Sequence, residues 1–477
     1  MEKKRKAIIL VIIMVGSSLG VISVFYFLIN TSSNPYNEFG WTWISGNHFP
    51  GAYGIYGTKG VPSLITCPGS REGAVSWTDS NDNLWLFGGA ENQEYVYRRC
   101  GYLNDLWKFD GFYWTWMSGD NTANVSSVYG EKGIPDASNK PGGRRGSISW
   151  IDSDDNLWLF GGEGLNESGE LAYLNDLWKF DGMNWTWISG NNTHDAHGVY
   201  GMKGVPDPLN YPGSRTDAVS WIDSDSNLWL YGGEGYSESG EAGYLRDLWK
   251  FDGENWTWVS GYAVGTDYGV YGTKGIPDPS NNPGSRTDAV SWIDSDDNLW
   301  LFGGGVDKYS IRDYPYKLND LWKFDGGNWT WISGNDTLNQ PGVFGTKFIP
   351  DSRNYPGSKY GAVSWTDSDD NFYLFGGFGS LTLNSASWNY DLWKFDGENW
   401  TWLSGGSEIT GYRSYGIYGT KGVYSPGCRP GARVGAISWA DSKNKLWLFG
   451  GEGFPAEGLL RMGYLNDLWK YDPDLVS

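Results

Sequence analysis

Histidine and cysteine are scarce in this chain: 477 residues include three of each. The histidines, His48, His194 and His197, are too few for most metal or general-base constellations. His194 and His197 have the spacing of helical metal ligands, but they sit in a Gly/Asn-rich loop with no third ligand in view. The three cysteines, Cys67, Cys100 and Cys428, fit an oxidising compartment only if two of them pair. Positive charge is also in deficit, with 36 Lys and Arg against 56 Asp and Glu, a net charge of -20. A phosphate backbone needs a basic footprint, so nucleic acid is excluded as a partner.

Tryptophan and glycine are in excess, at 30 and 70 residues. The stretch from Arg144 to Gly190 shows why. Ser147 to Trp150 and Leu157 to Phe160 read in period 2 as strands joined by the Asp152-to-Asn156 turn. Asp176 to Asp181 and Trp185 to Ser189 follow, separated by Gly182, Met183 and Asn184, which suits a tight hairpin. This four-strand meander recurs with Trp at the end of its first strand at Trp77, Trp150, Trp221, Trp292, Trp365 and Trp439, six copies at a period of 71 to 74 residues. The sixth copy lacks its WTW strand, and a lone copy, Trp41 to Ser45, precedes the first. The expected fold is all-β: a six-bladed β-propeller over residues 40–477, with four-stranded antiparallel blades. The N-terminal strand completes the last blade and removes the open edges. Each blade packs only on its neighbours, so the size limit on a single core does not apply.

An apolar run ending in Gly-Gly (Leu157 to Gly162), the pair Phe180-Asp181 and then Trp187 together resemble the kelch repeat of galactose-oxidase-type propellers. Tyr471-Asp472-Pro473 is the closest local match, and the resemblance covers residues 40–473 in repeats longer than a typical kelch unit. It implies a kelch-type propeller and says little about activity, because folds host many functions. The copper site of the galactose-oxidase type takes two His and two Tyr, one crosslinked to Cys. Cys100 lies beside Tyr102, but nothing pairs them with the histidines. A sialidase-like hydrolase takes an asymmetric cluster of Arg, acid and Tyr, whereas the Arg positions here follow the repeat. The chain is accordingly expected to be no enzyme and to need no cofactor.

Lys3, Lys4, Arg5 and Lys6 precede an uncharged run from Ala7 to Ile29. As a helix rising 1.5 Å per residue, that run spans about 34 Å, enough to cross a bilayer with some tilt. It has neither the short apolar region nor the small-residue cleavage site of a signal peptide. The expectation is a transmembrane signal anchor at 7–29, between a cytoplasmic stub at 1–6 and a tether at 30–39, with the propeller outside the cell.

Loop lengths indicate where a partner would bind. Connections between the second and third strands have 13 or 15 residues and those between blades 24 or 27, while the other turns are short. Alternating strand direction puts all the long connections on one face, where binding surfaces usually form. Two rings of positive charge lie there: Lys59, Lys132, Lys203, Lys274, Lys347 and Lys421, and then Arg71, Arg144, Arg215, Arg286, Lys359 and Arg433. Either ring would attract an anionic glycan or an acidic protein patch. The competing reading is that a feature of every blade holds the blade, the Arg ring pairing loop carbonyls and the acids after Gly-Gly, Glu163, Glu234 and Glu452.

Asp152, Asp154 and Asn156, like Asp223, Asp225 and Asn227, resemble the first ligands of a calcium loop. Neither run has the Gly at position six, and Asp, Ser and Asn are what a hairpin turn takes anyway. Calcium is left open. The cysteines all fall in long-face loops, and both Cys67–Cys428 and Cys67–Cys100 are open as pairings. Nine sequons are candidate glycan acceptors: Asn184, Asn255, Asn328 and Asn399 in Asn-Trp-Thr hairpins, and Asn30, Asn124, Asn166, Asn191 and Asn335 elsewhere. Asn-Trp-Thr is equally this family's turn and strand, since Asn is favoured in such turns.

These readings converge on a membrane-anchored, monomeric extracellular propeller that recognises a protein or a surface glycan through its long loops. The alternatives are a carbohydrate oxidase or hydrolase working at the central pocket and a structural surface-layer component. Breaking of the sixfold symmetry around one pocket would discriminate the enzyme from the others.

Overall fold

A computed structural model describes residues 40–92, 100–261, 268–306, 316–382, 385–406, 414–459 and 461–475. The described residues are all-β and contain no α-helix. Each repeat forms a four-stranded antiparallel sheet. In the second repeat its strands are Ile148–Ile151, Leu157–Leu165, Leu171–Phe180 and Trp185–Ser189, paired in that order. Period 2 shows where one face alone is buried: the first strand alternates buried and half-buried residues. Leu157 to Phe160 are buried throughout, because neighbouring sheets cover both faces of the second strand.

The sixth sheet is completed from the other end of the chain. Trp41–Ser45 pairs antiparallel with Leu468–Tyr471, placing Trp41 opposite Tyr471 and Trp43 opposite Trp469. The first strands of the six sheets are neighbours in a closed cycle. Two hydrogen-bonded rings run around that cycle. In one, each hydroxyl of Ser76, Ser149, Ser220, Ser291, Ser364 and Ser438 donates to the carbonyl of the preceding member, and Ser76 donates to Ser438, at 2.8 to 3.3 Å. In the other, the backbone N–H of Gly73 donates to Gly435, then Gly435 to Gly361, Gly361 to Asp288, Asp288 to Asp217, Asp217 to Gly146, and Gly146 back to Gly73, at 2.7 to 3.1 Å. Period and closure together bring one residue of every repeat to a common axis.

The core lies between sheets. Each apolar cluster joins two neighbouring sheets, as where Leu84, Trp107 and Trp114 meet Trp439, Trp447 and Phe449. Indoles add directed bonds: Trp77 donates to the Trp158 carbonyl at 3.3 Å and Trp439 to that of Trp85 at 3.0 Å, so the seam carries the same contact as an ordinary junction.

The inter-sheet loops do not simply crown one face. Each folds back along the outer strand of the next sheet, where Gly133 N–H donates to the Trp187 carbonyl and Gly422 N–H to that of Trp43. These loops satisfy backbone groups that an exposed edge strand would otherwise offer to another chain.

The expected membrane anchor is not retained. No helix among the described residues is long and apolar enough to cross a membrane, and the 7–29 segment on which that expectation rested lies outside them, as does the tether through residue 39.

Candidate functional site

The Arg ring is held inside the fold, whereas the Lys ring stays on the surface, with Lys347 half-buried and the other five exposed. The Arg ring pairs with the Asp of each Asp-Leu-Trp triplet and not with the acids after Gly-Gly, which corrects the expected partners. Arg144 Nη1 lies 2.7 Å from Asp176 Oδ1 and Nη2 2.8 Å from Oδ2, with both side chains at most 1% exposed. Loop carbonyls take further donors, here those of Gly142 and Gly161. Arg71–Asp105, Arg215–Asp247, Arg286–Asp320 and Arg433–Asp467 repeat the pair. Five of these Asp also accept a Tyr hydroxyl from the preceding loop, as Asp176 does from Tyr129. In the fifth repeat Lys359 replaces Arg at Asp391 and Phe344 stands in the tyrosine's place. The Lys ring sits on the second Trp of each WTW strand: the ammonium nitrogens of Lys59, Lys132, Lys203, Lys274, Lys347 and Lys421 lie 4.2 to 5.7 Å from those ring centroids.

One layer above the axial ring, the backbone keeps its sixfold pattern and the side chains abandon it. Immediately after each Arg or Lys of the buried ring, one residue is paired across the strands with a second residue after Gly-Gly and a third on the following strand. The six rows are Glu72–Ala90–Tyr102, Arg145–Glu163–Tyr173, Thr216–Glu234–Tyr244, Thr287–Gly305–Lys317, Tyr360–Phe378–Trp388 and Val434–Glu452–Tyr464. Directly opposed residues in antiparallel strands point to the same side of the sheet. The rows also touch in sequence around the cycle. Tyr464 donates to Glu72 at 3.3 Å, the Tyr102 hydroxyl lies near Glu163 and that of Tyr173 near Glu234, and Lys317 lies 5.1 Å over the Phe378 ring.

Arg145 is the hub of the charged half. Its Nη1 donates to Glu72 at 2.7 Å and its Nε to Glu163 at 2.9 Å, and 38% of its side chain is exposed. Burial opposes its charge, but Glu72 and Glu163 more than offset this and hold its pKa above the ordinary arginine value. Glu452 behaves differently: burial and then the charge of Glu72 push its pKa up to about 7, against the pull of Arg145. Below this layer, Asp217 and Asp288 stand in the axial ring where the other four repeats have Gly73, Gly146, Gly361 and Gly435. Their φ values, 53° and 51°, lie in the left-handed region that the glycines occupy and that Asp tolerates better than most residues. A Cβ on Gly146 would overlap the Asp217 carboxylate, so glycine there makes room for it. Burial raises the Asp217 pKa to about 6, and burial with the neighbouring Asp217 and Glu72 raises that of Asp288 well above the carboxylate range.

The other candidates are dispersed. Asp152 accepts from Asn156 and, at 2.8 Å, from the Trp158 indole, and Asp223 does the same with Asn227 and Trp229, which is turn chemistry, while Asp154 and Asp225 are exposed. No group of three His, Cys, Asp or Glu among the described residues is placed to hold a metal. His194 contacts Glu170 and Asp195, His197 stacks on Tyr236, and His48 packs on Trp43, so they do not assemble the two-His, two-Tyr copper set. Neither of the two pairings left open is formed, and all three cysteines are free. Cys67 packs between the sixth and first sheets and Cys428 between the fifth and sixth, on opposite sides of the sixth sheet. Cys100 Sγ lies 3.5 Å from the Tyr464 hydroxyl. Of the sequons, Asn30 lies outside the described residues, Asn166 is 2% exposed, and Asn184, Asn255, Asn328 and Asn399 are half-buried in their hairpins.

Reading the sequence for repetition passed over Glu72, Arg145, Asp217, Asp288 and the aromatic row. Their signal was departure from the repeat at fixed positions.

No protein-family model matches the chain, and no curated protein does. Among solved structures it is similar to a fungal alcohol oxidase of the AA5 family in complex with copper. Identity is 12%, the match covers 89% of this chain and 78% of that one, and the TM-score is 0.44. It is also similar to a protein of unknown function from Dyadobacter fermentans, at 10% identity over 91% of this chain and 100% of that one, with a TM-score of 0.45. The first of these is an enzyme, and the expectation that this chain is none is withdrawn.

Proposed function

We propose that the chain is a six-bladed, kelch-type β-propeller and a carbohydrate-active hydrolase working at its axial mouth. The observation that carries this is the broken symmetry of the mouth layer: one side is a network of carboxyl groups around Arg145, and the fifth row is aromatic. Acid–base cleavage of a glycosidic bond takes two carboxyl groups in opposite protonation states. Glu452, with a pKa of about 7, supplies the protonated one and donates to the departing oxygen. Glu72, in the adjacent row and ion-paired to Arg145, is the carboxylate that takes a proton from the attacking water. Arg145 carries two carboxylates already, which disfavours the sialidase arrangement, where arginines are kept for the substrate's own carboxylate. The scattered histidines disfavour a copper oxidase.

The test is release of reducing ends from a panel of neutral and acidic polysaccharides by the full-length protein, beside peroxide release from the same panel. Hydrolysis that Glu452→Gln and Glu72→Gln each abolish, with melting temperatures kept, is the expected result. Peroxide without reducing ends, or hydrolysis untouched by both variants, overturns the assignment.

A further inference from the structure

The aromatic row is the least expected part of the mouth. In the fifth repeat all three positions of the layer are aromatic, Tyr360, Phe378 and Trp388, whereas no other row has more than one aromatic residue. Tyr360 and Phe378 have ring centroids 5.6 Å apart, and Phe378 and Trp388 5.9 Å. The wall continues into the next repeat, where Phe454 lies 6.4 Å from Trp388 and 5.7 Å from Tyr415. All five rings are half-buried. A core would bury them and a plain surface would not gather them. Phe454 is two residues from Glu452 in sequence, so the wall runs up to the carboxyl that the hydrolase reading makes the acid.

We infer that this wall is a stacking subsite for a neutral oligosaccharide, and the inference rests on the hydrolase reading for what happens to the bound sugar. The flat apolar faces of aromatic rings pack on the C–H face of a pyranose, while a few polar groups fix its orientation. Equatorially linked sugars, as in β-1,4-glucans, present that face along the chain. The charge of the mouth selects against acidic glycans: among the described residues of the layer, Glu72, Glu163 and Glu234 face Arg145 and Lys317, and Arg145 is spent on Glu72 and Glu163.

The experiment is calorimetric titration of the full-length Glu452→Gln protein with cellohexaose, chitohexaose and hexagalacturonate, so that binding is read without turnover. Binding of at least one neutral hexamer and none of hexagalacturonate is expected. Adding Trp388→Ala should weaken Kd by about tenfold, as for loss of one aromatic contact, and adding Trp388→Phe by about threefold or less. In the parent, Trp388→Ala should raise KM more than it lowers kcat. Unchanged neutral-sugar affinity in Trp388→Ala, with its melting temperature kept, overturns the subsite and leaves the hydrolase reading standing. Preference for hexagalacturonate, or no binding of either neutral hexamer, also overturns the subsite. Neutral-sugar binding that depends on Trp388, in a protein that cleaves nothing, sinks the hydrolase reading and keeps the subsite.

Discussion

At the residue scale the protein separates two uses of charge. Arg144 and Asp176 are buried together and fully hydrogen-bonded, so their pairing is structural. Removing one partner of such a pair leaves an uncompensated charge, at a cost of about 3 to 5 kcal/mol. Arg144→Met should therefore lower the denaturant midpoint by that equivalent, and a loss under about 1 kcal/mol, the range of exposed pairs, would show the site to be wetter than described. Asp217 is the opposite case: a carboxyl raised to about 6, in a left-handed conformation, at a glycine position. A carboxyl whose pKa is raised on folding contributes stability present below the unfolded value, and that stability is lost as pH rises through about 6. Melting temperature should then fall between pH 5 and pH 7, and Asp217→Gly should fall less and melt higher at pH 7. Parallel pH profiles for the two proteins would contradict this.

At the element scale the informative strand is Trp41–Ser45. Trp41 is completely buried and meets Trp365, Phe375 and Tyr471, the environment that Trp185 has in its own sheet. Trp41→Ala should destabilise by about 3 to 5 kcal/mol, as much as Trp185→Ala. A far smaller loss at Trp41 would mean that the ring is stable without its seam. This closure was legible in the sequence because a missing strand at one end and a spare one at the other share the motif Trp-Thr-Trp. The course of the inter-sheet loops was not legible. Their length suggested a free binding face, while their hydrogen bonds to the outer strands are set by geometry that no local pattern encodes.

At the scale of the whole molecule, the mouth layer should control the pH dependence of activity. If Glu452 is the proton donor, kcat/KM should fall as pH rises through about 7, and Glu452→Asp should retain a proton-donating limb at a different position. A profile flat from pH 6 to pH 8 would remove Glu452 from that role. The network also places Arg145 between two carboxylates, so Arg145→Met should change the profile more than the melting temperature, because 38% of this side chain already reaches solvent.

The sequence by itself determined the period, the number of sheets, the order of strands within each and the identity of the strand that closes the ring, since all follow from apolar alternation and turn residues read locally. It also marked the repeated charges. Only the tertiary structure decided what those charges do. Arg71 to Asp105 and Arg144 to Asp176 are side chains more than thirty residues apart, joined because the ring turns both inward. The unrepeated residues were the hardest to see, because a search for repetition discards the positions where one repeat differs from its neighbours. Glu72, Arg145 and Glu452 come from three repeats, and Tyr360, Phe378 and Trp388 from a fourth. Closure around one axis brings them into a single layer, and no stretch of sequence contains that layer.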